Sequence, residues 1–134
     1  MKRSLTLRLI TLTLALLFLF LIACTDSDDS DDYYIFVPYN PTPFDGNGAA
    51  PRLPLLSWQC SHPEEYPLYY EVYMGLEEDG ILHNLAEDLP HAYYQMTDTL
   101  EAGTAYIWRV IAWDSLGNTS MNQLWHFTTA DTPI

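Results

Sequence analysis

The chain has 134 residues, with 5 basic and 18 acidic side chains and a formal net charge of −13 at pH 7. A field of that sign repels nucleic acid, which excludes a DNA or RNA partner, and the length is right for one domain plus a leader. Two cysteines are too few for a disulfide framework.

The leader comes first. Lys2, Arg3 and Arg8 precede an apolar run from Leu9 to Ala23 that is interrupted only by Thr11 and Thr13. Basic flank, short apolar stretch and small residue are the parts of a secretory signal peptide. The run is shorter than the roughly 20 residues that cross a bilayer as a helix. Its end, Leu21-Ile22-Ala23-Cys24, resembles the lipobox of bacterial lipoproteins. That resemblance implies removal of residues 1–23 and acylation of Cys24, palmitate included, so that a membrane is a partner through the N-terminal lipid. The expected address is the bacterial cell envelope, lipid-anchored in the outer membrane and facing the periplasm or the surface. Losing residues 1–23 removes three of the five basic side chains and no acidic one, so the charge moves from −13 to −16. Arg52 and Arg109 are then the only fixed cations.

Residues 25–32, TDSDDSDD, have the composition of a disordered spacer, so residues 24–37 are read as lipidated cysteine and acidic tether. Pro38, Pro41 and Pro43 then suit an edge strand, expected over 36–44, and Asp45-Gly46-Asn47-Gly48 marks a turn. Beyond it, short alternating runs are bounded by turn residues: Leu53 to Cys60, Leu68 to Met74, Ile81 to Leu85, Ala92 to Met96, Ala105 to Trp113 and Asn122 to Thr128. Six runs and the edge strand predict seven strands, and helical periodicity is absent.

Period two places Leu56 and Trp58, Tyr70 and Val72, and Tyr106, Trp108, Val110 and Ala112 on inward faces, with Trp125 and Phe127 completing the core. Cys60 shares parity with Trp58, which predicts burial. The segments LSW (Leu56 to Trp58), YEVYMG (Tyr70 to Gly75), LEAGTAYIWRVIAWDSLGN (Leu100 to Asn118) and WHFTT (Trp125 to Thr129) together resemble a fibronectin type III domain of the bacterial extracellular kind. The resemblance covers 38–130 and leaves 131–134 as a tail. It implies an all-β, seven-stranded immunoglobulin-like sandwich with sheets of three and four strands. It also implies a tyrosine corner at Tyr106, and an N-terminus at the same pole as the loops 61–67 and 114–120.

No catalytic signature survives inspection. Asp45 and Asn47 begin like a calcium loop, but Ala49 and Leu56 stand where ligands are needed. His62, His83, His91 and His126 lack metal-site spacing and are expected on strands or at the surface. Ser57 and Ser115 lack the nucleophile elbow, and the acid pairs Glu64-Glu65 and Glu77-Glu78-Asp79 read as solvated turns. The expectation is therefore a protein without catalytic residues, metal or cofactor.

One face remains. If Trp108, Val110 and Ala112 point inward, then Ile107, Arg109, Ile111 and Trp113 point outward, with Tyr69, Glu71 and Tyr73 on the neighbouring strand and Leu124 and His126 on the next. Aromatic residues around an arginine are the types that anchor interfaces. Tyr69, Tyr73, Arg109, Ile111 and Trp113 are the candidate binding residues, for a protein or carbohydrate ligand. Segment 33–37 is an alternative occupant of the same face. The leading expectation is a membrane-anchored, non-enzymatic binding or scaffold module. The second is a spacer lipoprotein of a polysaccharide-processing or secretion assembly.

Overall fold

The computed structural model describes residues 34–132. The signal peptide, Cys24, the acidic run 25–32 and the last two residues lie outside the described residues. Nine strands follow in chain order: β1 (Tyr39–Thr42), β2 (Asn47–Ala50), β3 (Leu55–Gln59), β4 (Tyr69–Leu76), β5 (His83–Leu89), β6 (Tyr93–Gln95), β7 (Ala105–Trp113), β8 (Thr119–Met121) and β9 (Trp125–Thr129). One sheet has the order β1-β3-β6; the other has the order β2-β9-β7-β4-β5, with β8 also paired to β7.

The core fills the space between these sheets as period two requires. Leu56 and Trp58 from β3 meet Tyr70 and Val72 from β4, Tyr106, Trp108, Val110 and Ala112 from β7, and Trp125 and Phe127 from β9, all buried. Trp108 is central, with Trp125 at 4.7 Å and Trp58 at 6.3 Å between ring centroids, both edge-to-face. That geometry sets the positive edge of one ring against the negative face of the next. Tyr106 receives the Glu101 amide hydrogen on its hydroxyl at 3.1 Å, forming the expected corner.

Two short strands depart from the sequence reading. The expected edge strand 36–44 is paired only over Tyr39–Thr42, after which the chain changes sheets and pairs Asn47–Ala50 parallel to β9. The turn between is pinned to β9 itself. Gly46 N donates to the His126 carbonyl at 2.7 Å, and His126 N donates to Asp45 Oδ1 at 2.8 Å. Gly46 has φ +85°, a conformation that favours glycine. The run expected over 122–128 is paired only from Trp125, and a short strand not expected from the sequence precedes it. Thr119–Met121 pairs with β7, and the buried Asn122 interrupts the ladder, its Oδ1 accepting from Val110 N at 2.7 Å. The side chain there replaces a backbone carbonyl, so β9 starts only at Trp125.

Cys60 lies just past β3 and is half-buried rather than buried. Its Sγ donates to the Phe36 carbonyl at 3.1 Å. Burial pushes the thiol up to about 11, partly opposed by a backbone hydrogen bond from Ser61.

Candidate binding face

β4 and β7 pair without a bulge over their whole overlap, which sets Tyr69 opposite Trp113, Glu71 opposite Ile111, Tyr73 opposite Arg109 and Gly75 opposite Ile107. Alternation then brings Tyr69, Tyr73, Arg109, Ile111 and Trp113 onto one surface, as expected. All five are half-buried, and the reason is that they cover one another. The Tyr69 and Trp113 rings stack at 4.9 Å with 27° between planes. Tyr73 donates its hydroxyl hydrogen to Glu71 Oε2 at 2.7 Å, and that bond to the carboxylate holds the phenol above its usual pKa. β8 extends the surface by placing Met121 beside Ile111 and Thr119 beside Trp113.

The stack has a chemical consequence. Each ring spends one face on the other, so a partner meets the remaining ring faces and edges instead of a free aromatic platform. Polarity comes mainly from Arg109. Arg52 is committed, its Nε donating to the Leu100 carbonyl at 2.8 Å. Arg109 Nε and Trp113 Nε1 are buried and meet no acceptor among the described residues; the core atoms Trp58 Nε1 and Trp108 Nε1 share that state. An unmade buried hydrogen bond costs about 1–3 kcal/mol.

Ile107 does not join the surface. It is buried, against the outward placement expected from parity. The cause is the glycine across from it. A Cβ on Gly75 would stand 1.7 Å from the Ile81 carbonyl oxygen, so the chain returning from the β4–β5 turn lies directly on the outer face there. His126, beside Ile107 on β9, is held at the same end by Glu77 Oε1, 3.0 Å from its Nδ1. Segment 33–37 does not take the face either. Phe36 N donates to the Ser61 carbonyl at 3.1 Å and Ile35 enters the core, so the described part of this segment continues along β3.

Sequence reading missed a second polar constellation. His62, expected on a strand or at the surface, is buried in a loop, and its Nε2 lies 3.1 Å from Oδ2 of the equally buried Asp114. The Glu64 amide donates to His62 Nδ1 at 3.0 Å, so the neutral ring carries its hydrogen on Nε2 and donates it to Asp114. Asp114 also accepts from Leu116 N, Asn118 N and Asn118 Nδ2 at 2.8, 3.0 and 2.9 Å. Burial alone would raise its carboxyl, but the donors from Asn118, Leu116 and His62 outweigh it and hold the group below the ordinary value. The available signal was Asp114 with Gly117-Asn118 following, a turn in which an aspartate side chain collects backbone amides.

Among the described residues no group of three or more His, Cys, Asp or Glu could hold a metal ion, and no helix is long and apolar enough to cross a membrane. No protein-family model matches the chain, and no curated protein does. Among solved structures, an α-L-rhamnosidase from Dictyoglumus thermophilum aligns with TM-score 0.56 and 21% identity, over 71% of this chain. This chain spans only 12% of that enzyme, and the likeness is one of fold. A human fibronectin type III domain, from fibronectin type III domain containing protein 3, aligns with TM-score 0.47 and 25% identity, over 72% of this chain and 86% of the domain. By its own strand order, β1-β3-β6 facing β9-β7-β4-β5, the described chain forms an all-β, immunoglobulin-like sandwich.

Proposed function

We propose that this chain is a lipid-anchored, non-enzymatic binding module of the bacterial cell envelope, acylated at Cys24, that engages a protein through the outer face of β4 and β7. One observation carries the reading. Arg109 and Trp113 share one half-buried surface with Tyr69, Tyr73 and Ile111, set in register by the unbulged pairing of β4 with β7. Arginine, tryptophan and tyrosine on a rigid sheet form the type of surface whose few residues dominate binding energy. A protein partner is favoured over a glycan because the Tyr69–Trp113 stack already occupies one face of each ring, leaving less flat area for a sugar. A net charge of −16 without the leader favours a basic partner.

The mutual stack also favours the spacer reading, in which these rings only stabilise the sheet. Capture from envelope extract separates the two. The full-length protein should retain a partner that the Tyr73→Ser, Trp113→Ser double variant, equally folded by circular dichroism, does not. Retention by both would leave the face structural and the domain a spacer.

A further inference from the structure

A second group of exposed apolar side chains lies around the His62–Asp114 pair. Phe36, Tyr66 and Leu116 are 55%, 41% and 61% exposed. Short contacts place them at one pole. Phe36 N bonds the Ser61 carbonyl, the Tyr66 ring packs 4.9 Å from the His62 ring, His62 bonds Asp114, and Asp114 Oδ1 accepts the Leu116 amide. The chain reaches this pole from its N-terminal side, since Tyr34, 68% exposed, lies two residues before Phe36.

Three unlinked loops thus present large apolar side chains where the polar groups beneath are satisfied internally. Asp114, the acid nearest the centre of the cluster, is buried and ringed by donors, so its charge is hidden. Glu64 and Glu65 are exposed on the rim. A surface that is apolar in the middle and acidic at the edge suits an uncharged or zwitterionic counterpart and is repelled by an anionic one.

The position of the pole along the chain identifies the counterpart. Nine residues separate Cys24 from Tyr34, a length of chain that spans at most about 35 Å when fully extended. A tether of that length raises the local concentration of bilayer, so that a contact too weak to bind membranes alone is occupied. Tyrosine, with apolar body and polar tip, belongs at the headgroup level, and Phe36 and Leu116 supply the buried component.

We propose that the pole formed by Phe36, Tyr66 and Leu116 rests on a zwitterionic lipid surface, which orients the domain with its Glu77–Gly80 turn directed away from the bilayer. The proposal relies on the lipid-anchor reading. It is tested on the full chain purified from membranes carrying Leu116→Trp as a reporter, with the mass of the N-terminal peptide recorded. The protein is reconstituted into vesicles of phosphatidylcholine, of phosphatidylcholine brominated near the headgroup end of its chains, and of brominated phosphatidylcholine mixed with phosphatidylglycerol. The added emission should be blue-shifted in the first, mostly lost in the second, and partly recovered in the third at low salt. Adding Phe36→Ser should restore emission while the unfolding midpoint stays unchanged. An acylated peptide with an unquenched reporter would overturn the proposal and leave the anchor standing, whereas an unmodified Cys24 would overturn both. Emission that shifts with protein density but ignores bromine would make a second copy of the chain the occupant and overturn it as well.

Discussion

Trp108, Val110 and Ala112 point from β7 into the sandwich and have no accessible surface, whereas Arg109, Ile111 and Trp113, one position along in each case, remain half-exposed. The two faces have similar side chains and identical backbone support. They differ in what covers them. The inner face is closed by the opposite sheet, with Leu56 and Trp58 against it. Away from Gly75, over which the Ile81 carbonyl lies, the outer face is closed by its own cross-strand neighbours, as in the Tyr69–Trp113 stack. A sheet face that covers itself keeps Tyr69, Tyr73, Arg109, Ile111 and Trp113 partly accessible, and this is where partner binding can add stabilising contacts.

The comparison breaks most readily on the inner face. Trp108→Ala removes a fully buried ring between Trp58 and Trp125, and should lower the unfolding free energy in urea by about 3–5 kcal/mol. A loss comparable to that of an outer-face substitution would mean the two faces are not energetically distinct.

Asp114→Asn, at the end of β7, should come next, at about 1–3 kcal/mol, because an amide nitrogen would face the hydrogen that His62 Nε2 donates. This variant also has a pH signature. With the native carboxyl held below its ordinary value of 3.8, the unfolded chain takes up the proton more readily. The stabilisation from Asp114 is then complete above the ordinary value and is lost as pH falls through the lower native one. Unfolding midpoints measured from pH 7 down to acid should converge for wild type and variant at the low end.

Tyr106→Phe deletes only the acceptor for Glu101 N and should cost about 1 kcal/mol by the same denaturation measurement. Smallest of all, Trp113→Ser should cost roughly 0.5–1.5 kcal/mol through the lost stack. Its main effect should be on partner retention. A destabilisation as large as that of Trp108→Ala would identify Trp113 as a structural residue.

Much of this architecture is legible in the sequence because period two over β3, β4, β7 and β9 is strong, and each buried aromatic reinforces the same parity. Asn47–Ala50 and Thr119–Met121 were not legible as strands. Their residues are small or polar, and what holds them is the edge of another strand, β9 far along the chain for Asn47–Ala50 and the adjacent β7 for Thr119–Met121. Ile107 fails parity for a similar reason, since nothing local to it reveals that the Ile81 carbonyl lies over Gly75. The co-location of Tyr69, Tyr73, Arg109, Ile111 and Trp113 followed from strand adjacency alone. Their mutual packing did not, because ring stacking depends on rotamers that spacing does not specify. His62 was misplaced because its partner, Asp114, lies 52 residues away.

The most direct measurement compares the two outer faces of the sandwich in living cells. A photo-crosslinking amino acid replaces Ile111 on the β4–β7 face and, in parallel, the exposed Gln59 on β3 of the other sheet. The account predicts a discrete adduct from position 111 and none from position 59. The same adducts from both positions, or an adduct from position 59 alone, would contradict it.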